Sequence, residues 1–405
     1  MANLAVSHPA GDAEGLAWPP NVSGHMPALD GLRGLAILPV LLYHMTSVGP
    51  GNWATAAWGF AVRNFGWCGV DLFFVLSGFL ITGLLYDSRG TRHYFRNFYA
   101  RRVLRIFPLY YGYVAVVLVV LPIVYPDVRR LLHLSDGPWW GPASYWVYLQ
   151  NYALAAAAPA AGGDWAHSRL LNHLWSLAIE EQFYIVWPLV IAACGRRVGM
   201  GVCLGTAMAS FACRVAMAWY GALPLVMYVL TPSRLDALAL GSFMALAARG
   251  PGGVLPLVPL ARALAVGGAI VVAGLTIVER SFSYTMRGTV TVGLFALAVG
   301  FAGALVLAVA ARPGSFAYRL LTTRTLRLFG RHSYALYVLH QGVILVASKT
   351  IDRLNLGSSD VVRQAALYTL GLSGSLAAAM ITWYAYENVF LQQKRHFPTE
   401  RSVHL

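Results

Sequence analysis

Apolar residues gather into ten runs along the chain, at roughly 29–48, 66–86, 106–125, 175–194, 200–220, 230–248, 263–278, 288–311, 331–350 and 364–387. Each is close to the roughly 17 to 25 residues that an α-helix needs to cross a hydrocarbon core. The pattern predicts an all-α, polytopic membrane protein of about ten transmembrane helices with no soluble domain. An eleventh stretch, 144–160, opens as Ser-Tyr-Trp-Val-Tyr-Leu but then holds Gln150 and Asn151 and ends in Ala and Pro. Within the first run Arg33 and His44 are eleven positions apart. Three helical turns take about 10.8 residues, so both side chains lie on one face, separated by roughly 16 Å along the axis. Asp30, one turn before Arg33, can neutralise the guanidinium. Ionisable side chains on one face of an apolar span are costly and need a reason.

Composition agrees with the periodicity. A hydrophobic fraction of 58%, a charged fraction of 11% and a mean hydropathy of +0.59 leave too little polar surface for a soluble domain. The net charge of +14 raises nucleic acid as a partner, but the basic residues sit in short loops between apolar runs and read first as topology signals. If the N-terminus is inside and 144–160 does not span, 17 Lys and Arg fall on the inner side against 9 outside. If that stretch does span, the count becomes 12 against 14. Ten spans in the cell membrane with both termini cytoplasmic is the better assignment. The segment from Pro126 to Asn172 then re-enters or lies on the outer surface, with Trp139, Trp140, Trp146 and Trp165 suited to the interface. Residues 1–28, polar and without Lys or Arg, read as a disordered tail, 29–390 as the membrane domain and 391–405 as a cytoplasmic tail. The four cysteines show no metal spacing or disulfide framework.

Helix direction assigns depths. Arg33, Arg102 and Arg105 fall at the inner face. His44, Asp71 and Glu180 are expected to share an outer level, with Ser77 near the middle. An imidazole and carboxylate cluster can accept a proton from a hydroxyl, while an arginine cluster can hold phosphates through bidentate, charge-assisted bonds. Each part has a plainer reading. The arginines of Arg101-Arg102-x-x-Arg105 also fit a positive-inside anchor. His44 also fits a core histidine bonded to a backbone carbonyl, and Asp71 a packing role opposite Arg214 or Arg234. Of Glu180 and Glu181, only one is expected to face the bundle interior. Gly66, Gly69 and Gly78 fit close helix packing, and the aromatic residues from Tyr94 to Tyr113 an interfacial belt. His340 either lines a tunnel or bonds a neighbouring helix.

Five motifs in order resemble the membrane-bound acyltransferase 3 family. They are Leu29-Asp-Gly-Leu-Arg-Gly-Leu-Ala followed by His44; Gly69-Val-Asp-Leu-Phe-Phe-Val-Leu-Ser-Gly-Phe-Leu-Ile81; Arg102-x-x-Arg105 leading into Ile-Phe-Pro108; Leu174-Trp-Ser-Leu with Glu180-x-x-Phe-Tyr184; and Ser333-Tyr-Ala-Leu-Tyr with His340. The resemblance implies ten helices, no bound cofactor, and acyl-CoA, usually acetyl, as a cytoplasmic co-substrate. It implies transfer to a hydroxyl of an extracytoplasmic or membrane-associated saccharide or glycosylated small molecule. By likeness His44 is catalytic and Arg33, Arg102 and Arg105 bind the donor. Glu180 or Asp71 is expected to orient the imidazole, Ser77 to stand on the donor side, and Asn172, Trp175 and Tyr184 on the acceptor side. Some family members carry a hydrolase-like domain after the bundle; in this sequence, which ends at Leu405, acceptor specificity is expected to come from the bundle and its outer loops. The final run departs from the family, reading Tyr386-Glu-Asn-Val-Phe390 where many members have a basic residue and Pro after the Glu, so Glu387 carries little weight. The competing class is a proton-coupled transporter or flippase for an anionic lipid or saccharide. It would use His44 and Glu180 as a relay but leaves the arginine cluster without a specific role, and no internal repeat supports it.

Overall fold

The computed structural model describes residues 26–46, 57–125, 138, 140–162, 169–355 and 359–398. The expected tail before Met26 and the tryptophans Trp139 and Trp165 lie outside the described residues. Among the described residues there are helices and no strands. Ten helices account for the ten runs: α1 Pro27–Met45, α2 Gly69–Asp87, α3 Tyr94–Ala115, α4 Trp175–Ala193, α5 Arg196–Trp219, α6 Leu235–Ala247, α7 Val258–Glu279, α8 Leu294–Val309, α9 Ser333–Arg353 and α10 Asp360–Thr382. Eight of the helical stretches are long and apolar enough to cross a membrane. The other two are α6, apolar but 13 residues long, and α9, 21 residues long with Lys349, Asp352 and Arg353 near its end.

Helix α1 is the hub, packing on α2, α8, α9, α10 and the short helices Phe316–Leu321 and Arg324–Arg331. It begins with Pro27 in its first turn, where the missing N–H costs nothing, and carries Asp30 against the positive N-terminal end. Gly31 and Gly34 let the chain near Leu321 and Leu326 approach so closely that a Cβ at either glycine would overlap a backbone carbonyl. At the other end Gln364 of α10 donates to the Met45 carbonyl at 2.7 Å, supplying a partner for one of the carbonyls that a helix leaves open.

Register between α1 and α2 fixes the depths. Gly66 sits against Pro39 and Tyr43, and Gly69 against Ala36 and Val40. The two helices are antiparallel, so each step along α2 moves toward the start of α1. Asp71 therefore lies below His44, and Ser77 lies near the Arg33 end. The expectation that Asp71 shares the level of His44 is overturned by this register.

Asp71 is instead part of the packing between α2 and α6. Its Oδ1 accepts from Arg234 Nη2 at 2.8 Å, and both side chains are 1% exposed. Beside it Arg214 Nη2 pairs with Asp236 Oδ2 at 2.5 Å and Arg214 also donates to the Ser233 carbonyl. Two buried guanidiniums are thus each neutralised by a carboxylate, as an apolar medium requires.

Residues 144–160 form no single spanning helix. The stretch breaks into Gly141–Ser144, Tyr145–Val147 and Gln150–Ala157, and Tyr148 between the last two takes a left-handed backbone with φ 54°. Gln150 and Asn151, which marked it as doubtful, are fully buried: Gln150 donates to the Leu174 carbonyl at 2.8 Å and Asn151 to Thr231 Oγ1 at 2.9 Å. The expected aromatic belt on α3 is partly interior. Tyr110 and Tyr113 are buried, and their hydroxyls donate to the carbonyls of Tyr145 and Leu170 at 2.8 and 2.9 Å.

Candidate active site

The polar residues along α1 fall into two clusters, one at each end of the helix. At the end that starts with Pro27, Arg33 Nη1 lies 3.5 Å from Asp30 Oδ1, and its side chain keeps 38% of its surface exposed. Arg102 and Arg105, one turn apart on α3, join it. The Arg102 guanidinium lies 5.4 Å from the Tyr184 ring centroid and 5.8 Å from that of Phe98; Arg105 lies 5.4 Å from Trp383 and 5.9 Å from Tyr334. Stacking on rings holds the guanidinium planes while leaving their N–H edges for other partners.

Glu180 belongs to this end. Its Oε1 accepts from Ser77 Oγ at 2.7 Å, Ser77 is also 2.9 Å from the Tyr184 hydroxyl, and Arg102 and Arg33 both lie within Coulombic reach of the carboxylate. The expectation that Glu180 or Asp71 orients His44 is therefore corrected: Glu180 faces the arginines and Asp71 faces Arg234. Tyr184 moves with it, from the expected acceptor side to the arginine end, because Trp175 to Tyr184 is nine residues, about 13 Å of helix. Trp175 packs on Tyr228 and Phe74 around the Arg234 guanidinium. With Glu180 facing inward, Glu181 was expected nearer water or a helix end, yet it is only 8% exposed and lies within α4.

Two further residues join this cluster: Glu387, which carried little weight in the sequence, and Lys394, which the sequence did not place in the site. Glu387 is buried in a π-helical turn, Trp383–Glu387, and lies within Coulombic reach of Arg105. Such a turn widens the helix by one residue; the same turn carries Trp383, which stacks on Arg105. Lys394 lies within reach of Arg101, Arg102 and Arg105, and Arg101 donates to the Phe397 carbonyl at 3.0 Å.

At the other end, His44 occupies the last turn of α1 and is half-buried. Its Nδ1 is 2.9 Å from the Val40 carbonyl and 3.3 Å from Nε2 of His340, which is fully buried. A third imidazole, His173, stands edge-on to His340 with ring centroids 4.9 Å apart. Tyr337 donates to the His173 carbonyl at 2.6 Å, and Ser176 lies 2.7 Å from the Tyr337 hydroxyl. Asn172, an expected acceptor-side residue, precedes His173 and is half-buried. No spacing rule pointed to His173; its one sequence signal was its place directly before Leu174-Trp-Ser-Leu.

The fold and these clusters define a polytopic helical membrane protein with a cationic site and an imidazole site at opposite ends of one helix. The chain belongs to the Acyltransferase domain family, whose match covers residues 26–384. It is similar to YrhL of Bacillus subtilis, with 30% identity over 339 residues, covering 80% of this chain and 49% of that protein. The peptidoglycan O-acetyltransferase OatA of Listeria monocytogenes is 27% identical over 347 residues, covering 81% of this chain and 51% of OatA. The O-acetyltransferase OatA of Staphylococcus aureus is 28% identical over 345 residues, covering 79% and 51%. The chain thus spans about half the length of the curated relatives it matches. No solved structure matches it.

Proposed function

We propose that this protein is a membrane-embedded O-acyltransferase that moves an acyl group, acetyl by analogy with the OatA relatives, from acyl-CoA to a hydroxyl of a cell-envelope saccharide. The observation that carries the reading is the placement of Arg33 and His44 on one face of α1, roughly 16 Å apart, each inside its own cluster. Acyl-CoA approaches from the cytoplasm, and its phosphates take the N–H edges of Arg102, Arg105 and Arg33. The extended pantetheine arm follows α1 and brings the thioester to His44. The acceptor comes from the opposite side, near Asn172. His44 Nε2 takes the proton of the acceptor hydroxyl as its oxygen attacks the thioester carbonyl. The carbon–sulfur bond then breaks, the ester is released, and the proton passes from Nε2 to the departing sulfur to give free CoA thiol. CoA is a substrate here, and the step needs no bound cofactor. The protein sits in the cell membrane with both termini cytoplasmic.

Mass spectrometry of envelope extracts from cells with and without the gene tests the reading. The expected result is the loss of one acyl increment from a saccharide component. Unchanged acylation together with proton-coupled uptake and no thioester loss would replace the enzyme with the transporter.

A further inference from the structure

A general base in an apolar site needs a fixed tautomer and something to hold the charge it acquires. In serine hydrolases a carboxylate does both. Here, among the described residues, no carboxylate is hydrogen-bonded to the His44 ring; Glu180 is committed to Ser77 and Asp71 to Arg234.

The hydrogen-bond partners assign the protons. His340 Nδ1 is 2.7 Å from the Tyr337 carbonyl and 3.2 Å from the Leu336 carbonyl. Both oxygens only accept, so Nδ1 carries the hydrogen and the Nε2 of the neutral ring holds a lone pair. That lone pair faces His44 Nδ1 at 3.3 Å, and the Val40 carbonyl faces the same nitrogen at 2.9 Å. Two acceptors on one nitrogen require His44 Nδ1 to carry the hydrogen. The lone pair of His44 is then on Nε2, free for substrate. His173 packs on the far side: its Nε2 is 3.2 Å from the Val338 carbonyl, and its ring stands at 72° to His340.

We infer that His340 is the positioning residue for His44, taking the place of the carboxylate. Together with the Val40 carbonyl it holds the base in the Nδ1–H tautomer, and when His44 Nε2 gains a proton the His340 lone pair accepts the strengthened bond from the charged ring. The C-terminal end of α1, whose last turn holds His44, adds its negative partial charge. The inference rests on the catalytic assignment of His44 proposed above.

The test uses the purified full-length chain, with acetyl-CoA and peptidoglycan glycan strands as probes. His340→Phe keeps the ring volume and removes the acceptor; His340→Gln restores a carbonyl oxygen near the Nε2 position. His340→Phe is expected to lower kcat by about 10- to 100-fold, the worth of one hydrogen bond to a charged group, with the KM for acetyl-CoA unchanged. His340→Gln is expected to recover most of that loss. Equal activity of the Phe and Gln variants, high or low, overturns the positioning role, as does a loss confined to KM. An active His44→Ala overturns the catalytic assignment itself, which separates the two failures. Nitrogen-15 histidine NMR adds a readout that needs no substrate. The His44 signal, assigned by its absence from His44→Gln, is expected as a single Nδ1–H tautomer whose Nδ1 proton moves upfield in His340→Phe, where the Val40 carbonyl is left as its acceptor. An Nε2–H tautomer in the wild type, or no change in His340→Phe, overturns the inference.

Discussion

A histidine in a membrane helix carries two nitrogens that an apolar medium cannot leave unsatisfied without cost. His44 commits one of them to Val40 and His340 and holds the other at a half-buried position. In the proposed mechanism, removing the ring takes away the group that accepts the hydroxyl proton. His44→Ala is therefore expected to reduce turnover by about 10²- to 10⁴-fold, the usual worth of a positioned base, in an assay of CoA thiol release with the acceptor present. Arg102, stacked on Tyr184 and Phe98 at the other end, has a proposed role in donor binding, which a different quantity reads. Arg102→Ala is expected to raise the KM for the acyl donor by about tenfold or more while kcat changes far less. A loss in kcat alone would move this arginine out of the donor site. Arg33 and His44 were legible as a pair because eleven residues close three helical turns. The His340 and His173 partners were not, since they lie 296 and 129 positions from His44 and 167 positions from each other and meet only in the folded bundle.

Among the elements, α2 and α6 cross where Gly78 and Gly241 let their backbones touch; a Cβ at either would overlap the facing carbonyl of Leu238 or Val75. That contact brings Asp71 to Arg234, and the pair is fully enclosed. Removing one partner leaves an uncompensated charge. Asp71→Ala is expected to destabilise the protein by about 3 to 5 kcal/mol, and Asp71→Ala with Arg234→Met to recover much of it, read as thermal midpoints in one detergent. An Asp71→Ala protein that melts like the wild type yet has lost turnover would return this carboxylate to the chemistry. The depth expected for Asp71 and Glu180 failed for a physical reason. Sequence gives the distance of a residue from its own helix end, but the sliding register of α2 against α1 is set by where small residues meet, Gly69 with Ala36 above all, and α4 follows α2 through the bond from Ser77 to Glu180. That register puts Ser77, Glu180 and Tyr184 with the arginines and leaves His44 to other histidines.

Across the whole molecule, the ten apolar runs were legible because membrane helices must bury their own backbone groups and cannot vary much in length. The broken path of 144–160 was legible only as an exception, through Gln150 and Asn151, because its bonds go to Leu174 and Thr231 far along the chain. Sidedness, derived from loop charge, is open to direct measurement. In a background lacking the four native cysteines, a cysteine replacing exposed Thr285 is expected to react with an impermeant maleimide in intact cells, and one replacing exposed Arg324 only after permeabilisation. The reverse pattern would invert the bundle and the direction of transfer with it. The central claim joins both ends of α1 in a single reaction across the membrane. Full-length protein is reconstituted in sealed vesicles, with radiolabelled acetyl-CoA confined to the Arg33 face and glycan strands to the His44 face. The account expects label to reach the glycan with wild-type protein and to stay with the donor in His44→Ala; label that remains on CoA with the wild type, or crosses equally well in His44→Ala, would contradict it.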